Sequence, residues 1–357
     1  MIIFVLLVLW TILSYSLCNR IKVRDKKKIY CWNMFIVTTI IQGLRSVYIG
    51  GVDTHLVYQA GFERAIVTPF NRISIVFKKD ILFYYLTKLF TYICTDFHVY
   101  VFVVSSLVLG SFAVFVYRHS DYTVFTYIIY YALGYYSVGF QMMRHVMALS
   151  VLLFAYDYLL DRKLIRFLAV VLFASCFHSS ALIFLIAYPL SKMKINYKQW
   201  IGVAGIIIMA MFAKSRIVML VNMIIEGMDR YSVYSMTRSQ LSMTGAFILL
   251  CIYAVSFVFS YPKYKEDEKL TLYLNMSVIS IVFMSMVVVV GEFHRISMFF
   301  GVYNTVLLPR AWTEYKISGK NLKYVYLLGI CMILIAYYLF VGLDNFDLMG
   351  YRFFWSD

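Results

Sequence analysis

The stretch "FHVYVFVVSSLVLGSFAVFVY", residues 97–117, runs for 21 residues without a Lys, Arg, Asp or Glu. At 1.5 Å of rise per residue, a helix of that length crosses a hydrocarbon core of about 30 Å. Runs of the same kind recur along the chain: Met1–Cys18 has 18 such residues, Tyr122–Met143 has 22 and Leu270–Gly291 has 22. Over 357 residues the composition is 62% apolar and only 14% charged, with a mean hydropathy of +0.78. A soluble protein of this length needs far more polar surface to cover its core. The expected fold is therefore all-α and polytopic. About 12 spans or half-spans, plus a re-entrant or interfacial helix on the outer side, form a single integral membrane domain over 1–357.

The first apolar run is read as a retained span, because it is too long for a secretory leader and no small-residue cleavage site precedes "RIKVRDKKK". Six cysteines (Cys18, Cys31, Cys94, Cys176, Cys251, Cys331) lie in or beside apolar segments and form no CxxC or Cys/His cluster. They read as small buried residues, with no metal site and no cofactor. The formal charge of +15 fits Lys and Arg in cytoplasmic loops, so nucleic acid is not an expected partner; the lipid bilayer is.

Orientation follows from those basic residues. Arg20, Lys22, Arg24 and Lys26–Lys28 make 20–28 an inner loop, and the next apolar run, 29–44, carries "RSVYIGGVDTHLVY" (45–58) outward. Lys88 at the centre of "ILFYYLTKLFTYICT" (81–95) argues against a span, since a mid-bilayer charge costs about 2.5–3.5 kcal/mol. This segment is the outer interfacial helix. "YRHSD" (117–121) and "DRKLIR" (161–166) then fall inside and "GFQMMRH" (139–145) outside.

The segment 167–191 is uncharged, with "FHSS" at its middle and basic clusters at both ends. Two half-helices meeting near His178 keep both clusters inside, and broken helices are tolerated where they line a cavity in the protein. An outer loop at 214–241 follows, with an amphipathic piece. "YPKYKEDEK" (261–269) and "PRAWTEYKISGKNLK" (309–323) lie inside, "GEFHR" (291–295) and the tail after 343 outside. In this arrangement the inner loops hold 20 of the 33 Lys and Arg residues.

The unusual polar residues then collect at the outer ends of spans: Arg45, Asp53, Gln141, Arg144, His145, His178, Glu292, His294 and Arg295. Gln141, Arg144 and His145 share a helix face at i, i+3, i+4, and Glu292 and Arg295 are i, i+3. Ionisable groups at membrane depth mark a functional site by default. Each also has a plainer reading. Arg144 snorkels to head groups, Glu292–Arg295 is a helix-end pair, His178 makes an interhelical hydrogen bond, and Gly50–Gly51 is a turn. A donor linked through a polyprenyl diphosphate fits several arginines, whose forks match phosphate oxygens. An attacking sugar hydroxyl needs a base, for which Asp53 and Glu292 are the candidates. The outer-face loops 45–96 and 214–241 contribute to this site.

In "RSVYIGGVDTHLVY", "MMRHVMALSVLLFAY", "FHSSALIFLIAYPL" and "HRISMFF", taken in that order over 45–300, the chain resembles the EpsG subgroup of Wzy-like polysaccharide polymerases. The resemblance implies a GT-C-like glycosyltransferase of the bacterial inner membrane. It joins polyprenyl-diphosphate-linked oligosaccharide repeats, as donor and acceptor, on the outer face, and works beside other polysaccharide-assembly proteins. Arg45, Arg144 and Arg295 correspond to the motif arginines, Asp53 to the motif aspartate and His178 to the motif histidine. Tyr58 and Gln141 complete the expected substrate-binding set. The chain departs from the common Arg-Gln pair at Arg144–His145, so no shared role passes to His145. The alternative is a lipid-linked oligosaccharide flippase, whose charges should line a route open to both faces, often with internal repeats.

Overall fold

The computed structural model describes residues 1–193, 197–212, 244–261, 265–314 and 320–356. It is 79% helix and contains no strand among the described residues. Four helical stretches are long and apolar enough to cross a membrane: Ile2–Arg20, Phe97–His119, Glu268–Val288 and Val325–Asn345. Six shorter apolar helices accompany them. The chain divides into two compact units, Met1–Leu185 with Lys316–Asp357, and Ile186–Tyr315. The expected outer loop at 214–241 lies outside the described residues.

In the first unit α1 (Ile2–Arg20) and α2 (Lys26–Gly43) pack together, joined by the basic loop. Asp25 caps α2, accepting from the Lys28 amide at 2.9 Å. Trp10 Nε1 donates to Asn33 Oδ1 at 2.8 Å across the pair. Only one face of α1 is covered by protein, and Ile2, Leu6, Leu9 and Leu13 remain exposed. An apolar face of that extent requires lipid.

Three helices follow: α3 (Ala60–Val67), α4 (Ile73–Val76) and α5 (Ile81–Thr91). Here α5 packs against α3. Lys88 neither snorkels nor sits in lipid. It is buried, donates to the Ile66 carbonyl at 3.0 Å and lies over the Tyr92 ring. The long α6 (Phe97–His119) packs chiefly on α2. Its N-cap Asp96 accepts from the amides of His98 and Val99.

The uncharged run 122–143 does not form one helix. It breaks into α7 (Thr123–Ala132) and α8 (Tyr135–Val138) at Gly134, whose φ of +77° ends the first piece. The chain resumes as α9 (Met143–Leu152), α10 (Ala155–Leu160) and α11 (Leu164–Ser175). Breaks of this kind are stable at membrane depth only when other groups satisfy the freed backbone. Beyond the first of them, in α8, the Tyr136 carbonyl accepts from Gln42 Nε2 at 3.0 Å as well as from the Gly139 amide at 3.2 Å. A tyrosine-rich core surrounds these breaks, with Tyr130 stacked on Phe112 at 3.7 Å between centroids. The segment 167–191 is also broken: α11 ends at Ser175 and a 3-10 helix, Ser179–Ile186, begins after His178.

Polar contacts sort by the two ends of this unit. At one end Tyr117 donates to Asp25, Lys27 to the Ser120 carbonyl, and His119 lies 3.6 Å from Asp157. At the other, the Met1 amine donates to the Met349 carbonyl, Arg45 bridges Phe353 and the Gly50 amide donates to the Asp347 carbonyl.

In the second unit the helix Glu268–Ser285 packs on Thr244–Ser260 and Phe293–Gly301. Ser280 and Ser297 hydroxyls meet at 2.9 Å, the close approach that small residues allow between membrane helices. Asn275 donates to the carbonyls of Ser191 and Met193. Lys192 lies 3.5 Å from Glu268, and Arg310 pairs with Asp267 at 2.8 Å. Three segments rich in basic residues thus meet at one end of this unit, and Glu292 follows the opposite end of Glu268–Ser285.

Candidate functional site

In the first unit Arg144 and His178 converge on Asp80. This residue occupies the N-cap of α5 in the left-handed region (φ +53°), which Asp tolerates better than most side chains. Its carboxylate makes no capping bond to α5 and is instead shared by residues distant in sequence. Oδ2 lies 2.9 Å from Arg144 Nη1 and 3.5 Å from His178 Nδ1, and Oδ1 accepts from the Ser179 amide at 3.4 Å. The break after α11 makes this possible, because the Cys176 carbonyl freed there accepts from the Leu82 amide and binds the break to the start of α5.

The Asp80 side chain is only 6% exposed, against 25% for Arg144 and 20% for His178. Burial raises the pKa of its carboxyl, but the hydrogen bond from His178, the charge of Arg144 and the Ser179 amide outweigh this and hold it below the usual carboxylate value.

Tyr58 forms the next layer. It lies in a π-helical turn, Thr54–Gln59, whose first hydroxyl, Thr54 Oγ1, donates to the Phe140 carbonyl at 2.8 Å. The Arg144 guanidinium sits 5.7 Å from the Tyr58 ring centroid, and the Arg144 amide donates to the Tyr58 hydroxyl at 3.5 Å. Burial raises the pKa of the Tyr58 phenol, Arg144 pulls it down, and Asp53 is near enough to push it up again. Asp53 is thus a neighbour of the cluster. It is half-buried and makes no ion pair among the described residues.

The other expected residues divide. Arg45 is 1% exposed, and its fork is filled by main chain: Nη1 donates to Gln42 O at 2.6 Å and Nη2 to Phe140 O at 3.1 Å. Gln141 donates to the Phe346 carbonyl at 3.1 Å, fastening the tail beside Gly51. The helical face proposed for Gln141, Arg144 and His145 is interrupted, because α9 starts only at Met143. Glu292 and Arg295 do form the i, i+3 pair, at 2.8 Å, within the second unit. Between them, burial and the Arg295 charge push His294 down to about 4.

Asp80 was not among the residues singled out from the sequence. It follows two lysines in "FKKD" and reads there as one charge of a solvated loop. The available signal was its place directly before an apolar helix.

The sequence model of the EpsG family matches residues 28–353, which include Tyr58, Asp80, Arg144 and His178. The chain belongs to the EpsG family. Membership in the EpsG family supports a polysaccharide-polymerase role for this membrane protein, of a glycosyltransferase-like kind. No curated protein and no solved structure matches the chain. Among the described residues no group of three or more His, Cys, Asp or Glu side chains is placed to hold a metal ion.

Proposed function

We propose that this EpsG-family protein joins polyprenyl-diphosphate-linked oligosaccharide repeats on the outer face of the bacterial inner membrane, with a GT-C-like architecture. The growing chain passes from its lipid diphosphate to the sugar of the next lipid-linked repeat. The observation that carries this reading is Arg144. Its guanidinium is held from one side by the buried Asp80 carboxylate and remains a quarter exposed on the other. A partly exposed guanidinium on a fixed base suits a leaving diphosphate, because the planar fork presents paired donors to phosphate oxygens. Asp53, half-buried and without an ion-pair partner among the described residues, is available to hydroxyls of the acceptor sugar. Arg45 supports the site from below through Phe140, whose carbonyl also receives Thr54.

Purified protein in liposomes, supplied with outward-facing lipid-linked repeats and no nucleotide sugar, should release elongated lipid-linked chains detectable by mass analysis. The diphosphate linkage already supplies the leaving group. Movement of repeats between leaflets without elongation would replace this reading by a flippase.

A further inference from the structure

The attacking hydroxyl must lose a proton as it bonds to the anomeric carbon, and a positioned base near it lowers that barrier. Among the described residues Asp53 has no partner that fixes its side chain. His178 does. Its Nδ1 faces Asp80 Oδ2, and the backbone on either side is tied to the start of α5 by the Ser179 amide and the Cys176 carbonyl. Its ring meets the buried His145 ring edge-to-face at 5.7 Å, which restrains the ring plane. The two imidazole nitrogens lie on different edges of the ring, so Nε2 points away from Asp80. Among the described residues Nε2 makes no hydrogen bond, and it is not one of the sealed polar atoms of the interior. A carboxylate on Nδ1 selects the tautomer with its proton there and leaves a lone pair on Nε2. Arg144 shares the same carboxylate oxygen, so the donor-side cation and this lone pair are set by one buried group.

We infer that His178 is the proton acceptor of the glycosyl transfer and that Asp80 is the positioning residue that orients both His178 and Arg144; this rests on the polymerase reading above. In the step, the acceptor hydroxyl oxygen bonds to the anomeric carbon as the bond from that carbon to the diphosphate oxygen breaks. The bonding pair leaves with the diphosphate beside Arg144. The hydroxyl proton passes to His178 Nε2, and Asp80 stabilises the resulting imidazolium. That proton is then lost to water, which returns the neutral ring. The Nδ1–Oδ2 separation is 3.5 Å, and catalytic hydrogen bonds of this length tighten as the reacting complex forms. The charged and titratable groups facing this ring or its partners are Asp80, Arg144 and His145, with Tyr58, Tyr84 and Asp53 acting through Arg144 and Tyr58.

The test uses the full chain in liposomes with outward-facing lipid-linked repeats, with kcat and KM measured across pH. His178→Gln should lower kcat by about 10²–10⁴-fold with KM little changed, the contribution typical of a general base, and abolish the acidic limb of the kcat profile. Asp80→Asn should move that limb to lower pH, because the imidazolium loses its anion, and Asp80→Glu should move it back. In His178→Ala, added imidazole should restore part of the rate. Where His178→Gln reaches the membrane poorly, the Asp80→Asn limb and the imidazole rescue decide the matter. Wild-type pH dependence in both Asp80→Asn and His178→Gln, with kcat within about tenfold of wild type, would overturn the inference and return the base role to Asp53. A wild-type protein that elongates nothing would overturn the reaction itself, and the inference with it.

Discussion

Asp80 Oδ2 and Arg144 Nη1 lie 2.9 Å apart, with the carboxylate almost sealed and the guanidinium a quarter exposed. The pair joins the start of α5 to the start of α9. Removing Asp80 leaves Arg144 partly desolvated without its anion. Asp80→Ala should therefore cost about 1–3 kcal/mol, less than the roughly 3–5 kcal/mol of a fully buried pair, because water reaches Arg144. Arg144→Lys keeps the charge on Asp80 but loses the fork. We expect it to stay folded, by thermal unfolding in detergent, and to lose about 10–100-fold in polymer formation, the weight of a charge-assisted hydrogen bond. Wild-type turnover with lysine would show that Arg144 contributes only charge.

The lowered pKa of Asp80 also makes a stability prediction. A carboxyl more acidic in the folded state than in the unfolded chain contributes stability above the unfolded value, near 3.8. That contribution fades as pH falls through the folded value. Wild type should thus lose melting temperature below about pH 4 more steeply than Asp80→Asn, which has no proton to gain there. Parallel curves for the two proteins would mean that Asp80 is not stabilised as drawn.

Gly50 is the turn residue on which the site loop depends. Its φ is +89°, and a methyl added there would come within 2.6 Å of the Phe140 Cβ. Phe140 in turn carries the carbonyl that receives both Arg45 and Thr54. Gly50→Ala should cost at least about 1–2 kcal/mol from backbone conformation alone, before the overlap is counted. Gly202→Ala, in a helix with nothing within 4 Å of the new methyl, should be neutral or stabilising by up to about 1 kcal/mol. Melting temperatures of the two variants, set against wild type, check the contrast.

How much of this was legible in the chain depends on the kind of information each residue carries. Long uncharged runs such as 1–18 and 97–117 show their helices directly, because length and apolarity are local properties. The run 122–143 looked the same and is broken at Gly134, whose left-handed backbone no count of apolar residues registers. Arg45 was expected at phosphate, yet both of its terminal nitrogens bond main-chain carbonyls. Asp80 was hidden for the converse reason: its partners stand at 144 and 178, and no spacing rule connects them. The Glu292–Arg295 pair was legible because i, i+3 is a helix neighbour relation.

The last prediction concerns sidedness, on which the proposed reaction depends. In the first unit the Asp25–Tyr117 and His119–Asp157 contacts gather the basic loops at the end opposite Arg45. In the second, Lys192, Asp267, Glu268 and Arg310 meet at one end. Basic loops prefer the cytoplasm, so each unit should place that end inside. In a background with all six cysteines replaced, single cysteines at Val52, Ile93 and Gly291 should react with an impermeant thiol reagent applied from outside. Cysteines at Val23 and Lys192 should react only after the membrane is opened. Val52 and Ile93 are 68% and 84% exposed, so no protein group covers either position. Gly139 is a poor probe, because any side chain there overlaps the Gln42 carboxamide. The Lys192 position decides most. It follows the break at His178, and labelling it from outside would mean that the chain crosses the membrane there rather than turning back. Arg295 would then face the cytoplasm, and an outer site for the lipid diphosphate would have to be built without it.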